Sequence, residues 1–326
     1  MRLGGVARFV LDIEKPEEIS QAVEFAEERS LPIFILGRGA NAIGRDEGYA
    51  GVILRNKILG IELLGEDDEG YTLVRAMGGE EWDSLVAFTT ERGLSGIEAM
   101  SAIPSTVGAA PIQNIGAYGQ DLSQVLENVE VYDIKTGDRK NLPAEELGMS
   151  YRQTIFNTGP DKGRYFIVAI TIRLKTGRLK PPFYTSLQNY IDENRVTDFS
   201  PENIRKMVME IRASKLPDPA KIPSAGSFFK NIYLSKSEAE EAEDNGILVW
   251  KKPGGKYMVN AGWLLDEAGL KGRKFHGMEV NEKAALVLIN RSAKSYADLA
   301  AARAEIQEII RDKFGFELEQ EPVEII

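Results

Sequence analysis

The sequence contains no cysteine and only one histidine, His276, among its 326 residues. Without thiols there can be no disulfide, thiolate nucleophile or iron–sulfur ligation. One imidazole without thiolates is a poor ligand set for a transition metal, so we expect no metal site. We expect His276 to be packed or exposed rather than catalytic.

Long apolar runs and an excess of positive charge are also missing. No apolar stretch approaches the roughly 20 residues that span a bilayer, and the first five residues lack the apolar core of a signal peptide. The formal net charge of -10 disfavours nucleic acid and anionic membranes as partners. We therefore expect a soluble cytoplasmic protein without nucleic-acid or membrane partners, and we expect it to be monomeric. Any phosphate-bearing ligand must meet local positive charge.

The apolar periodicity predicts an α+β protein. With 326 residues, 43% of them apolar, the chain can bury a large core and is long enough for about two or three domains. Helical spacing predicts helices over residues 16–29, 81–92, 201–213 and 295–314. Apolar or alternating runs predict strands over 33–36, 51–54, 61–64, 71–76, 128–133, 138–142, 165–174 and 284–289, with an edge strand over 316–326. Lys135, Thr136 and Gly137 form a turn signal that predicts a hairpin between two of these strands.

Two glycine-rich runs lie far apart in the sequence. The first, Gly37 to Asn41, directly follows a predicted buried strand, and its small residues would let backbone amides approach a diphosphate. A tight turn explains this run equally well, and its spacing does not match a Rossmann fingerprint. The second, Ile103 to Gly119, combines small residues with amide side chains, as a loop against a flat ring and a diphosphate would. A purely structural loop is the alternative, but two such loops favour a large, extended cofactor.

A third cluster concentrates positive charge in this acidic chain. Lys215 to Pro219 is followed by the segment Ser224 to Asn231, and Arg212, Lys215 and Lys230 supply cations. Cations on a loop shaped by glycine and proline suit a phosphorylated substrate. The simpler interpretation makes Ser227 a structural serine and makes Glu319 and Glu321 solvated carboxylates.

Taken together, these segments resemble the UDP-N-acetylenolpyruvoylglucosamine reductase family over nearly the whole chain. The resemblance rests on motifs in the same order: residues 36–41, 103–119, 151–156, 215–219, 226–231, 261–266 and 318–321. It implies an FAD-binding region of the vanillyl-alcohol-oxidase type in two subdomains over residues 1–177, divided near residue 56. A C-terminal α+β substrate-binding domain would follow over 178–326, with its last strand returning toward the active site.

The resemblance also implies the activity and the residues that perform it. NADPH and UDP-N-acetylglucosamine enolpyruvate would act in turn through enzyme-bound FAD to give UDP-N-acetylmuramate, a peptidoglycan precursor. Arg152, Ser227 and Glu321 would carry the chemistry. The implied FAD contacts are Gly37, Arg38, Gly39, Ala40, Asn41, Ile103, Pro104, Thr106, Gly108, Ala109, Gln113, Asn114, Gly116, Ala117, Tyr118 and Arg212. The implied substrate contacts are Lys215, Lys230, Asn231 and Tyr184, the last by analogy with a subclass that has a tyrosine-bearing loop.

Two departures from the family pattern lead to specific expectations. Ser105 stands where the family usually has glycine, so the backbone of the second loop is expected to shift. Pro322 follows Glu321, so the C-terminal strand is expected to lose one ladder bond. Two other functions stay open at this point: an FAD-dependent sugar or alcohol oxidase, and a UDP-sugar-binding regulator without catalysis.

Overall fold

A computed structural model describes residues 1–218 and 221–326, with Pro253 described by its backbone alone. The described residues form an α+β structure with both helices and strands in each half of the chain. The helices are α1 (Glu18–Glu27), α2 (Trp82–Thr90), α3 (Thr185–Asn194), α4 (Pro201–Lys215), α5 (Lys236–Asp244), α6 (Ala261–Glu267) and α7 (Tyr296–Phe314).

The strands are β1 (Ala7–Ile13), β2 (Ile33–Leu36), β3 (Ala42–Gly44), β4 (Tyr49–Asn56), β5 (Ile61–Glu66), β6 (Thr72–Met77), β7 (Leu94–Ser95), β8 (Gly116–Ala117), β9 (Gln120–Asp121), β10 (Leu126–Asp133), β11 (Arg139–Pro143), β12 (Tyr165–Thr176), β13 (Ser224–Ser227), β14 (Ile232–Leu234), β15 (Val249–Lys252), β16 (Lys256–Val259), β17 (Lys274–Phe275), β18 (Met278–Val280), β19 (Val287–Asn290) and β20 (Val323–Ile325). The longest strand, β12, lies in the largest sheet.

The chain divides into two compact units, each built from more than one stretch of sequence. The larger unit consists of residues 7–39 and 50–214, and the smaller unit consists of residues 1–6, 40–49 and 215–326. The functional boundary predicted between residues 177 and 178 and the division near residue 56 stay predictions, because compactness does not assign a ligand to either part.

In the larger unit, a three-stranded sheet has the order β1-β4-β2, with β2 and β4 parallel. A second sheet has the order β11-β10-β12-β6-β5, and β7 pairs with β12. The predicted hairpin is confirmed, since β10 and β11 pair antiparallel around the turn at Lys135–Gly137. Fully buried Trp82, Leu85 and Ile97 pack against the second sheet. Strand β12 is buried at every residue from Tyr165 to Ile172, so both faces of this sheet are covered at its centre, and this burial stabilises it.

In the smaller unit, β13-β19-β18-β17 and β14-β16-β15 form two antiparallel sheets, while β20 pairs parallel to β3. Helix α7 covers this core with Leu299, Ala302, Ile306 and Ile310, which recur at helical spacing and are all buried. Ser295 caps the helix through its hydroxyl, and Asp46 accepts hydrogen bonds from the first two amides of α7 at 2.6 and 3.0 Å. Residues 40–49 are therefore fastened to the C-terminal part of the chain.

Most predicted elements are confirmed within a few residues, and the differences have physical causes. The strand predicted over 284–289 begins only at Val287. The predicted edge strand is reduced to Val323–Ile325, after Pro322. Helices α3, α5 and α6 were not predicted, because α3 and α5 are rich in polar residues and α6 is only two turns long. Across the described residues, no helix combines the length and apolar character required to cross a bilayer.

Candidate functional site

The first glycine-rich run leaves the carboxyl end of β2 and turns sharply. Gly39 has a φ of +74°, a conformation that favours glycine. A side chain on Gly37 would place its Cβ 2.3 Å from the hydroxyl oxygen of Thr106, which is closer than any real contact. Arg38 pairs with Glu81. The larger unit therefore brings the first run against the second.

The second run is fixed by hydrogen bonds to a glycine pair that the sequence analysis did not single out. Gly108 donates its amide to the carbonyl of Gly78 at 2.8 Å, and Val107 donates to the carbonyl of Glu80 at 2.8 Å. A Cβ on Gly79 would lie 2.4 Å from the backbone nitrogen of Ile58. The signal that could have identified this segment is two consecutive glycines directly after strand β6.

Thr106 occupies the point where the two runs meet. Its hydroxyl oxygen is buried, and no atom in the described parts of the chain offers it a hydrogen bond. A buried hydroxyl without a partner costs about 1–3 kcal/mol. Thr106 is therefore suited to a partner from outside the chain. Ser105 beside it has no positive φ, and the shift expected where the family usually has glycine stays a prediction.

The end of the second run is a tight hairpin. Strands β8 and β9 pair antiparallel, and the two residues between them, Tyr118 and Gly119, both have positive φ, at +50° and +88°. This is the pattern of a type I′ turn. A Cβ on Gly116 would lie 2.8 Å from the Cβ of Asp121. Gly116 and Ala117 thus form β8 and Tyr118 lies in the turn, whereas Ala109 ends a short 3-10 helix and Ile103, Pro104 and Gln113 lie in the loop around it.

Arg212 and two tyrosines form a cluster in the larger unit. Arg212 in α4 is hydrogen-bonded to Tyr118, and burial lowers the pKa of Arg212. Tyr184 packs edge-on against Tyr118, with ring centroids 5.8 Å apart, and is 44% exposed. Helix α3 begins directly after it at Thr185, so the segment expected as a tyrosine-bearing loop is helical in its last part. The assignment of Tyr184 to a substrate loop stays a prediction.

Arg152 lies in a tight turn of the larger unit that is tied to the second run. Its φ is +56°, and its guanidinium donates to the carbonyl of Asn114 at 3.3 Å. The Asn114 side chain in turn contacts the carbonyl of Ser150 at 3.3 Å and accepts from the amide of Ser123 at 3.0 Å. Asn114 thus links the turn that contains Arg152 to the second glycine-rich run through hydrogen bonds.

The segments that carry Ser227 and Glu321 are joined by a backbone hydrogen bond in the smaller unit. Ser227 ends β13, which pairs with β19 through an irregular register, and Gly226 before it has a φ of +71°. Such a glycine-bearing bulge re-aims the side chains that follow it. The amide of Glu321 donates to the carbonyl of Phe228 at 2.9 Å. The predicted loop over Ser224 to Asn231 is therefore a strand with a bulge over its first four residues.

Two predicted substrate contacts also lie beside this segment. Lys230 contacts Glu319 at 2.5 Å, and its side chain is only 18% exposed. Asn231 accepts a hydrogen bond from the amide of Ala261 at 3.1 Å, at the start of α6. Lys215 is the exposed last residue of α4, and Pro219 of the predicted Lys215 to Pro219 cluster lies outside the described residues.

Comparison with known proteins assigns both parts of the chain. Residues 218–325 match the family "UDP-N-acetylenolpyruvoylglucosamine reductase, C-terminal domain", and residues 7–142 match the FAD binding domain family. A UDP-N-acetylenolpyruvoylglucosamine reductase of Burkholderia ambifaria is 36% identical, with 98% of this chain and 92% of the relative covered. The chain belongs to the UDP-N-acetylenolpyruvoylglucosamine reductase family.

Further relatives agree with this family assignment. The reductase of Ralstonia nicotianae is 35% identical, covering 99% of this chain and 95% of its own. A crystal structure of UDP-N-acetylenolpyruvylglucosamine reductase (MurB) from Thermus caldophilus matches with a TM-score of 0.60 at 22% identity, covering 97% of this chain and 91% of that one. The family matches and this similarity confirm the predicted α+β fold class, with an FAD-binding region and a C-terminal reductase domain.

The residues of the larger unit fit a dinucleotide such as FAD. The fit rests on the unpartnered hydroxyl of Thr106 and on the side-chain-free Gly37 opposite it. A phosphate oxygen is an acceptor that such a hydroxyl can satisfy. Among residues 1–218 and 221–326 there is no group of three or more histidine, aspartate or glutamate side chains that could hold a metal.

The close approach of Gly37 and Thr106 can be tested by stability. We expect Gly37→Ala to lower the free energy of unfolding by about 1–3 kcal/mol, because the added methyl group overpacks the contact. Adding Thr106→Ala should recover most of the loss, since the clashing oxygen is removed. Thermal unfolding of the flavin-free protein measures both effects.

Gly177→Ala is the matched control, because its added Cβ would meet nothing closer than 4.0 Å and its φ is not positive. We expect a change within about 0.5 kcal/mol for this variant. Equal destabilisation by Gly37→Ala in the presence and absence of Thr106→Ala would contradict the assigned contact.

Proposed function

We propose that this chain is an FAD-containing, NADPH-dependent reductase that converts UDP-N-acetylglucosamine enolpyruvate to UDP-N-acetylmuramate, a precursor of peptidoglycan. The observation that carries the proposal is the pairing of the Ser227 and Glu321 segments, joined by the hydrogen bond from Glu321 to Phe228. Membership of the reductase family supports it, and favours it over a sugar or alcohol oxidase and over a non-catalytic regulator.

The residues that would hold FAD are those of the two glycine-rich runs and Arg212. They are Gly37 to Asn41, Ile103, Pro104, Thr106, Gly108, Ala109, Gln113, Asn114, Gly116, Ala117, Tyr118 and Arg212. Bound FAD supplies hydride transfer between NADPH and the enolpyruvyl substrate. The contribution of the chain is to bind and orient it through backbone groups, the Thr106 hydroxyl and cationic side chains.

Arg152 is proposed to stabilise the charge that develops during reduction. When the double bond of the enolpyruvyl group gains a hydride at its terminal carbon, negative charge spreads over the adjacent carbon and its carboxylate. A fixed cation lowers the energy of that charge most when it is already in place. The hydrogen bond of Arg152 to the Asn114 carbonyl, on a turn held by Asn114, supports such preorganisation.

Ser227 is proposed to give the proton that the adjacent carbon needs. A serine hydroxyl is a weak acid, so it acts as a donor only when it is held at the reacting atom. The bulge at Gly226 supports this role because it fixes the direction of the residue that follows. Glu321, on the paired segment, is proposed to polarise the developing enolate.

The UDP part of the substrate is proposed to meet Lys215, Lys230, Asn231 and Tyr184. Because the chain has a net charge of -10, a diphosphate requires local cations. The Lys230 side chain is mostly buried and forms an ion pair with the carboxylate of Glu319. This geometry supports a role for Lys230 in binding an anion. We further propose that the enzyme works as a monomer in the cytoplasm without nucleic-acid or membrane partners.

The proposed reaction can be followed in the flavin spectrum. We expect the purified protein to be yellow, to bleach when NADPH is added without oxygen, and to regain its colour when UDP-N-acetylglucosamine enolpyruvate is then added. A colourless protein that takes up no FAD would remove the cofactor assignment. Bleaching by a sugar or an alcohol instead of NADPH would identify an oxidase.

The role of Ser227 predicts different effects on the two half-reactions. We expect Ser227→Ala to slow reoxidation by the enolpyruvyl substrate by about 10²–10⁴-fold, the typical contribution of a positioned proton donor. Reduction by NADPH should stay near normal because it needs no proton from this hydroxyl. Stopped-flow absorbance measures both steps, with the exposed Ser237→Ala as the control. Equal losses in both steps would mean that Ser227 is structural.

A further inference from the structure

The position of Glu321 depends on a short segment whose pairing partner changes once, directly after Glu321. Before it, Gln320 forms an isolated antiparallel bridge with Phe229. After it, Pro322 has no amide hydrogen, and the amide of Val323 donates to the carbonyl of Asn41 at 2.9 Å. The strand β20 begins at Val323, so Pro322 interrupts no ladder within β20. Glu321 is therefore held by backbone bonds on two sides but lies in neither sheet.

One side chain from helix α7 fastens this segment on both sides of Glu321. Nη1 of Arg303 donates to Oε1 of Gln320 at 2.7 Å and to Oε1 of Glu324 at 2.8 Å. The side-chain Nε2 of Gln320 donates a hydrogen bond to the backbone carbonyl of Pro322 at 2.7 Å. A single guanidinium thus ties together the residues that precede and follow Glu321.

The anchor on the far side is a carboxylate with several donors. Glu324 accepts from Arg45 at 2.6 and 2.9 Å, from the Tyr296 hydroxyl at 2.7 Å and from Arg303. Burial alone would raise the pKa of Glu324, but these hydrogen bonds lower it to about 2. The carboxylate is therefore ionised at any pH near neutrality, and its ion pair with Arg303 persists there.

Arg303 itself lies on a rigid element. Ala302 and Ile306 on the same helix are fully buried, and the helix start is capped by Ser295 and Asp46. The Arg303 side chain is only 24% exposed. A cation that is mostly covered and hydrogen-bonded to several partners is more constrained than a member of an exposed surface pair.

We propose that Arg303 is the positioning residue for Glu321, acting through Gln320 and Glu324. This inference rests on the proposed function, in which Glu321 acts on the substrate. A reacting group must be held to within about 0.5 Å, and a displacement of 1 Å costs up to about 10²-fold in rate. Arg303 supplies that constraint from outside the reacting groups, since it contacts Gln320, Glu324 and Tyr296, none of which is proposed to react.

The kinetic test is a double-mutant cycle between Arg303→Met and Glu321→Gln. We expect Arg303→Met to slow flavin reoxidation by the enolpyruvyl substrate about 10- to 100-fold, with reduction by NADPH within twofold (~0.4 kcal/mol) of normal. In the Glu321→Gln background, Arg303→Met should add no more than about twofold, because it acts through Glu321. Full additivity would overturn the proposal.

A second readout needs no substrate and stands even if the proposed reaction is wrong. The amide of Glu321 donates to Phe228, and we expect its hydrogen exchange to become at least about tenfold faster in Arg303→Met, as the local opening energy falls. Arg311→Met is the control, because Arg311 lies on the same helix but pairs with exposed Glu317. Unchanged exchange at Glu321, or equal acceleration in the control, would contradict the positioning role. Failure of the proposed function would show instead in wild-type protein that the substrate cannot reoxidise.

Discussion

The larger unit depends on two close approaches that favour glycine, one to a side-chain hydroxyl and one to a neighbouring backbone. The first glycine-rich run lies against the Thr106 hydroxyl, and the second is bonded through Gly108 to Gly78. A Cβ added at these glycines would lie inside van der Waals contact distance of its neighbours, so a side chain there would push the segments apart. What the approach leaves is a buried hydroxyl with no partner among the described residues. The chain thereby offers a polar group that an extended dinucleotide can satisfy.

In the smaller unit, the two residues proposed to act on the substrate lie on segments that are distant in sequence. Ser227 follows a bulge, and Glu321 lies on a segment near the C-terminus that pairs with the residues after that bulge. Neither residue has a place in a long, regular strand. Hydrogen bonds among Arg303, Glu324 and Arg45 hold the Glu321 segment where no regular strand does so. These charged groups hold the backbone near Glu321. Arg303 is in turn held in place because the apolar face of α7 is buried in the core of the smaller unit.

Much of this architecture could be predicted from the sequence, and the failures have a common cause. Apolar spacing located β2, α2 and α7, and the turn signal at Lys135–Gly137 located a hairpin, because these patterns are local. The residues of the reductase motifs were recognised by resemblance. The role of Gly78, the ion pair of Lys230 with Glu319 and the bridge made by Arg303 were not predicted, since each depends on contacts between distant parts of the chain.

The most direct measurement of the central claim is a crystal structure of the protein loaded with its flavin. The account predicts that the Thr106 hydroxyl is hydrogen-bonded to the bound dinucleotide, whose diphosphate contacts the backbone of the first glycine-rich run at Gly37 to Gly39. A bound flavin that touches neither this run nor Thr106, or a Thr106 hydroxyl bonded to the protein itself, would contradict the account.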